Sequence, residues 1–157
     1  MDKKNHTISI LVNNKPDVLA RIAGIFSGRG YNIEAISANV TMDPGITKIT
    51  IVTMGNTATV TQIQKQLKKL VDVIKVSRPG ESRYAQREMS LVRMSVNEEN
   101  KAAIARAVED FGCRVVVKRS DCCVVEITGN KEETDLALTR LDAIGINDAS
   151  RSGIVTL

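Results

Sequence analysis

Residues 17–36 read DVLARIAGIFSGRGYNIEAI, and the spacing of the apolar residues changes within this stretch. In its first half Val18, Leu19, Ile22, Ile25 and Phe26 recur at helical spacing, which predicts an amphipathic helix. Either Gly28 or Gly30 would end that helix. From Ile33 onward apolar and polar residues alternate, which predicts a half-buried strand. The stretch therefore joins a helix to a strand through a glycine turn.

The segments on either side extend this unit to the order β-α-β-β-α-β. Strands are predicted at Thr7–Val12, Ile33–Val40 and Ile46–Met54, with a Pro-Gly turn at 42–45 between the last two. A second helix would bury Val60, Ile63, Leu67, Leu70 and Val71. Residues 72–77 then form the closing strand.

The same order recurs in the second half of the chain. Its strands are predicted at residues 88–96, 114–119, 122–128 and 154–157. Its helices begin near Glu98 and Lys131, and they would bury Ile104, Val108, Phe111, Leu138 and Leu141.

The repeated order predicts an α+β chain of two ferredoxin-like βαββαβ sandwiches in tandem. The predicted domains are residues 1–77 and 87–157, and the polar segment 78–86, which contains Pro and Gly, is the predicted linker. Each sandwich would leave one sheet face and one edge strand uncovered. Because such small cores are marginal, we expect association with a partner.

The composition is that of a soluble globular protein, with 43% hydrophobic and 25% charged residues among 157. The N-terminal residues MDKKNH lack the features of a signal peptide, so we expect a cytoplasmic protein. The net charge of +4 is too small to argue for nucleic acid as a partner. With a single histidine, His6, most metal sites and catalytic triads lack parts.

The motifs of three other site classes are incomplete. Acyl-phosphate hydrolysis on this fold needs an arginine in the first strand-to-helix loop, which here reads NNKPD. RNA-binding domains with this element order stack bases on strand aromatics, but ITKITIVTM and CCVVEIT carry none. The three cysteines, Cys113, Cys122 and Cys123, are interpreted as small buried hydrophobes. We therefore expect no catalytic residue, no metal and no cofactor on this chain.

The loop Asn13–Asp17 precedes the first predicted helix, so the free N–H groups of Asp17, Val18 and Leu19 would point into it. Such an end attracts a carboxylate, including that of a free amino acid. An Asx-Pro turn that only caps the helix fits the same residues. Both interpretations stay open from the loop alone.

Four stretches together resemble one family. Residues 13–36 (NNKPDVLARIAGIFSGRGYNIEAI) are similar to the opening of an ACT domain, a module that senses amino acids. KQLKKLVDVIKV (65–76), REMSLVRM (87–94) and SRSGIVTL (150–157) resemble the small, regulatory subunits of acetohydroxyacid synthase, also called acetolactate synthase. The resemblance covers essentially the whole chain.

The resemblance implies a non-catalytic subunit that activates a separate catalytic subunit and makes that subunit sensitive to inhibition by valine. The catalytic subunit would carry thiamine diphosphate, magnesium and FAD. ACT domains of this family form a homodimer through their second strands. Asn32 at the start of that strand, with the backbone of Ile33, would then face a ligand bound by Asn14 and the helix N-terminus of the other chain. No membrane partner is implied. A free-standing tandem ACT-like regulator of another target is the alternative.

One position departs from the family. Asp17 stands where the family usually has glycine. A carboxylate there would repel the carboxylate of a bound amino acid, or cap the helix, or pair with the ligand's ammonium group. We expect repulsion and a weaker response to valine.

Overall fold

The structure, a computed structural model, describes residues 4–79 and 85–157. The chain forms two compact units. The first unit contains the chain up to Ala85 together with Ile154–Leu157, and the second contains Gln86–Gly153. Residues 80–84 of the predicted linker 78–86 lie outside the described residues.

The first unit is a four-stranded antiparallel sheet that packs against two helices. Its strands are β1 (Lys4–Asn13), β2 (Ala35–Val40), β3 (Ile46–Gly55) and β4 (Val73–Ser77), in the order β2-β3-β1-β4. Its helices are α1 (Val18–Ser27) and α2 (Thr57–Leu67). The core between them contains Ile8, Ile10, Val12, Val18, Ile22, Phe26, Ile49, Ile51, Val60, Ile63 and Leu67.

Gly30 makes the turn that ends α1. Its φ of 66° lies in the left-handed region that glycine adopts without strain. The N–H of Tyr31 then reaches back to the carbonyl of Phe26 at 2.9 Å, which closes the helix end. β2 begins at Ala35, two residues later than predicted. Just before it, the hydroxyl of Thr53 donates to the carbonyl of Asn32 at 2.7 Å, and the N–H of Glu34 donates to the carbonyl of Val52 at 2.8 Å.

The predicted burial of Val71 on the second helix is wrong. α2 ends at Leu67, and tight turns carry the chain from there into β4. Leu70 still packs against the core, but Val71 is 89% exposed.

The second unit repeats the plan. Its strands are β5 (Gln86–Ser95), β6 (Arg114–Lys118), β7 (Cys122–Gly129) and β8 (Asp148–Arg151), in the order β6-β7-β5-β8. Its helices are α3 (Lys101–Asp110) and α4 (Lys131–Asp142). Its core contains Val92, Met94, Ile104, Ala107, Cys123, Val125, Ile127, Ala137 and Leu141. The fold class of two ferredoxin-like α+β sandwiches is confirmed.

Local side-chain chemistry sets where the helices of this unit begin. α4 begins at Lys131 as predicted, because Asn130 and Glu133 form a reciprocal capping box. α3 begins at Lys101, later than the predicted Glu98. The carboxamide oxygen of Asn97 accepts hydrogen bonds from the N–H groups of Glu99 at 3.1 Å and Asn100 at 2.9 Å, which forms a separate turn first.

The sheet of the second unit contains one strand that was not predicted, β8, which pairs with β5. Its sequence DASR has no apolar alternation, so the sequence gives no signal for a strand there. The strand predicted within residues 154–157 is present as the short β9 (Val155–Thr156), and these four residues belong to the first unit.

These last four residues, the C-terminal tail, complete the first unit. Leu157 and Ala85 exchange backbone hydrogen bonds of 3.0 and 3.1 Å, and the Lys48 ammonium group binds the carbonyl of Thr156. Ile154 is only 5% exposed. Lys48 lies on the face of β3 that points away from the core. Thr50 and Val52 share that face and are buried, so the expectation of a fully uncovered face is wrong for this sheet.

Within residues 4–79 and 85–157, no helix is long and apolar enough to span a membrane.

We predict that the tail contributes measurably to stability. Ile154→Ala should lower the free energy of unfolding by about 2–4 kcal/mol, because it removes most of a buried side chain. Leu157→Ala is the matched control, since Leu157 is 89% exposed and its loss should change little. Urea denaturation of the full chain measures both. Equal effects of the two substitutions would show that the tail does not pack as described.

Candidate functional site

A groove of about 440 Å³ opens in the first unit beside the loop that joins β1 to α1. We call residues 13–17 the first loop. The groove is lined by Val12, Asn13, Asn14, Lys15, Pro16, Val18, Leu19, Ala38, Val40, Thr47 and Ile49. Polar groups of the first loop therefore face apolar side chains of α1, β2 and β3.

The apolar side of the groove exists because β2 is an edge strand. Ala38 and Val40 pair with Ile49 and Thr47, so all four side chains point to the helix side of the sheet. Val40 is nevertheless 53% exposed, as expected of an edge strand that the helices leave partly uncovered. The groove is thus a part of the helix-facing side that remains accessible to a ligand.

Asn14 fixes the first loop to the turn at residues 42–45. Its side-chain amide donates to the carbonyl of Pro44 at 3.0 Å, and its carboxamide oxygen accepts from the hydroxyl of Thr47 at 3.1 Å. Its backbone N–H donates to the carbonyl of Gly45 at 2.8 Å. Asn14, which was predicted to bind an effector, lines the groove, and its amide also holds the loop in shape.

Asp72, the residue directly before β4, is the centre of an ion-pair cluster beneath the first loop. Its carboxylate accepts from Lys15 Nζ at 2.6 Å, Arg21 Nη1 at 3.2 Å and Asn13 Nδ2 at 3.3 Å. Its backbone carbonyl accepts from the N–H of Asn13 at 2.9 Å. The side chain is only 5% exposed. The hydrogen bond from Lys15, followed by that from Asn13, lowers the pKa of Asp72, so the buried carboxylate is ionised at neutral pH.

Sequence reasoning missed Asp72 as a site residue. The available signal was a charged residue near the start of an otherwise apolar segment, residues 71–76 (VDVIKV). It became informative only when the fold brought β4 beside the first loop, since Asp72 and Lys15 are far apart in sequence.

Asp17 occupies the N-cap position of α1, and its carboxylate forms an ion pair with Arg21 one turn later. The hydrogen bond and the charge of Asp17 raise the pKa of Arg21 further. Arg21 thereby joins Asp17 to Asp72. The expected repulsion between Asp17 and a ligand carboxylate is reduced in this arrangement, because a cation already accompanies the Asp17 charge.

The six residues predicted to bind an effector fall into two groups. Asn14, Val18 and Leu19 line the groove, and Asp17 precedes them at the start of α1. Asn32 and Ile33 precede β2, whereas Val40 in the groove ends it. The six residues of β2 alone span roughly 17–20 Å, so a single chain does not bring Asn32 into its own groove. The exposed amide of Asn32 donates to the Glu34 carboxylate at 2.7 Å.

The residues expected to carry no metal or redox chemistry are the cysteines and the lone histidine. Burial raises the thiol pKa of Cys113, and burial with the nearby Cys122 raises that of Cys123, so both stay protonated at neutral pH. His6 binds the carbonyl of Gly55 at 3.0 Å and the guanidinium of Arg78. Across residues 4–79 and 85–157, no group of three or more His, Cys, Asp or Glu side chains could hold a metal ion.

Two protein families match the chain, one for each half. Residues 8–75 match the family described as the AHAS small subunit-like ACT domain, and residues 87–157 match the family described as the small subunit of acetolactate synthase.

Relatives of the same description match along the whole chain. The acetolactate synthase small subunit of Mycobacterium bovis is 35% identical over 157 residues, which cover 100% of this chain and 94% of that protein. The probable acetolactate synthase small subunit of Methanothermobacter thermautotrophicus is 38% identical over 154 residues, with 98% and 92% covered. The crystal structure of the small subunit from Thermotoga maritima superimposes with a TM-score of 0.88 at 31% identity, over 98% of this chain and 96% of that one.

The lowered pKa of Asp72 predicts acid sensitivity of the first unit. A folded-state pKa below the ordinary 3.8 contributes stability above that value, and the contribution is lost as pH falls through the folded pKa. In urea denaturation below about pH 4, the wild-type chain should therefore lose stability more steeply than Asp72→Asn. Parallel curves for the two proteins would mean that Asp72 is not held as an ion in the folded state.

Proposed function

This chain belongs to the acetolactate synthase small-subunit family, and we propose that it binds a separate catalytic subunit, raises its activity and mediates feedback inhibition by valine. The chain itself would be a regulatory subunit without a catalytic site. In this proposal the first unit senses the amino acid, and both units contribute to the contact with the catalytic subunit. The predicted domains, residues 1–77 and 87–157, correspond to this division of labour.

The groove beside the first loop is the observation that carries the proposal. It combines the N-terminal end of α1, which favours a carboxylate, with an apolar wall formed by Leu19, Val40 and Ile49. A branched-chain amino acid has both features, a carboxylate at one end and an apolar side chain at the other. The N–H of Leu19 would bind the carboxylate, together with the N–H of Val18, which makes only a long hydrogen bond of 3.4 Å to the Lys15 carbonyl. The apolar wall would take the side chain.

A homodimer would complete the site. β2 is an edge strand, and Ile36 and Val40 on it are 39% and 53% exposed, which favours association along this edge. A symmetric pair of such strands runs antiparallel, so the start of β2 in one chain lies beside the end of β2 in the other. Asn32 and Ile33 of the second copy would then reach the groove near Val40. The directed amide of Asn32 would bind the ligand across the interface.

Binding between two chains explains how the ligand could regulate. A ligand that contacts both copies stabilises one arrangement of the dimer over others, and this preference is what shifts an allosteric equilibrium. Thiamine diphosphate, magnesium and FAD would reside on the catalytic subunit, and none of them on this chain. The proposed assembly works in the cytoplasm and involves neither nucleic acid nor a membrane.

We predict that adding the full chain to the catalytic subunit of the same organism raises acetolactate formation and makes it sensitive to valine. The two proteins should co-elute in gel filtration. A free-standing regulator of another target would leave the activity unchanged and elute separately, and that outcome would reject the proposal. Bovine serum albumin at equal concentration controls for nonspecific stabilisation of the enzyme.

We predict that Asn32→Ala weakens valine binding by about 1–3 kcal/mol, because a polar ligand group loses its hydrogen-bond partner. Dimerisation should change little. Isothermal titration calorimetry measures the first effect and sedimentation equilibrium the second. Asn147→Ala is the matched control, since it removes an exposed asparagine whose side chain binds Ser95 in the second unit. Unchanged affinity in Asn32→Ala would show that Asn32 does not belong to the site.

A further inference from the structure

The cluster beneath the first loop has balanced charges. Two cations, Lys15 and Arg21, form three ion pairs with two carboxylates, Asp17 and Asp72. Asn13 adds a hydrogen bond to Asp72. Lys15 belongs to both the cluster and the groove wall, and so does Asn13. The charge that a ligand meets in the groove is therefore set partly by Asp72, which is buried and does not line the groove itself.

Asp72 also fixes the position of both groove residues. Its carboxylate and its backbone carbonyl hold Asn13 through two hydrogen bonds, and the same carboxylate oxygen holds the Lys15 ammonium group at 2.6 Å. The Lys15 side chain is otherwise 56% exposed. A long exposed side chain has many rotamers, and the Asp72 contact selects one of them.

We infer that Asp72 is a positioning and selectivity residue of the groove. Its carboxylate neutralises the cations beside the first loop, so that the site binds a zwitterionic amino acid in preference to a simple carboxylate. The inference rests on the proposed amino-acid site and specifies the charge state of its ligand.

The physical reason is the net charge of the ligand. An amino acid near neutral pH carries one positive and one negative group, so its net charge suits a cluster that is itself neutral. A carboxylate without an ammonium group brings an uncompensated negative charge into a partly desolvated groove. With Asp72 replaced by a neutral isostere, the cluster gains a net positive charge. A simple carboxylate should then gain affinity relative to the amino acid.

Valine and isovalerate are the probes for the test, because isovalerate has the same carbon skeleton and carboxylate but lacks the ammonium group. Calorimetry on the full-length dimer should show that the wild type prefers valine. In Asp72→Asn the ratio of valine affinity to isovalerate affinity should fall by about tenfold. Lys15→Met removes a cation at a half-exposed position and should raise the same ratio.

The control is Asp148→Asn, which removes a carboxylate paired with Arg93 at 3.5 Å in the second unit and should leave the ratio unchanged. If Asp72 had only a structural role, Asp72→Asn would weaken both ligands equally. An unchanged ratio in Asp72→Asn overturns the inference and leaves the proposed function standing. If Asp72→Asn does not fold, an unchanged ratio in Lys15→Met overturns it. A wild type that binds no valine rejects the proposed site and the inference together.

Discussion

The buried carboxylate of Asp72 is the interaction on which the arrangement of the first unit depends. Removing an ionised carboxylate from water is unfavourable unless donors replace the lost hydration. Here Lys15, Arg21 and Asn13 supply those donors. They come from the first loop and α1, whereas Asp72 directly precedes β4. Satisfying one charge therefore fixes the relative positions of a loop, a helix and a strand.

The groove follows from this arrangement and from the edge position of β2. The first loop forms one wall because Asp72 and the turn at residues 42–45 hold it from two sides. The other wall is apolar because Ala38 and Val40 point to the helix side of the sheet at an edge. Neither wall required a residue with unusual reactivity. The site is suited to recognition, which agrees with membership in a family of small subunits.

Much of the fold could be predicted from local patterns. The capping residues of α4, the Pro-Gly turn at 42–45 and the alternation in β5 are short-range signals, and the structure has all three elements. β8 could not be predicted, because DASR pairs with β5 through its backbone and carries no apolar pattern. Within the groove, Asn14, Val18 and Leu19 were predicted from helix-end chemistry and family resemblance. Lys15 and Asp72 were missed because their contact joins residues distant in sequence.

The return of the C-terminal tail to the first unit has a consequence for biosynthesis. Residues 4–79 are synthesised well before Ile154, and at about 5–20 residues per second the delay between residue 79 and Ile154 is roughly 4–15 s. Throughout that interval the nascent first unit lacks Ile154 and the Thr156 carbonyl that Lys48 binds. The second unit, Gln86–Gly153, is by contrast one continuous stretch of chain, so all of its residues are present before Ile154 is added. The first unit therefore reaches its final form only after the whole second unit has been synthesised.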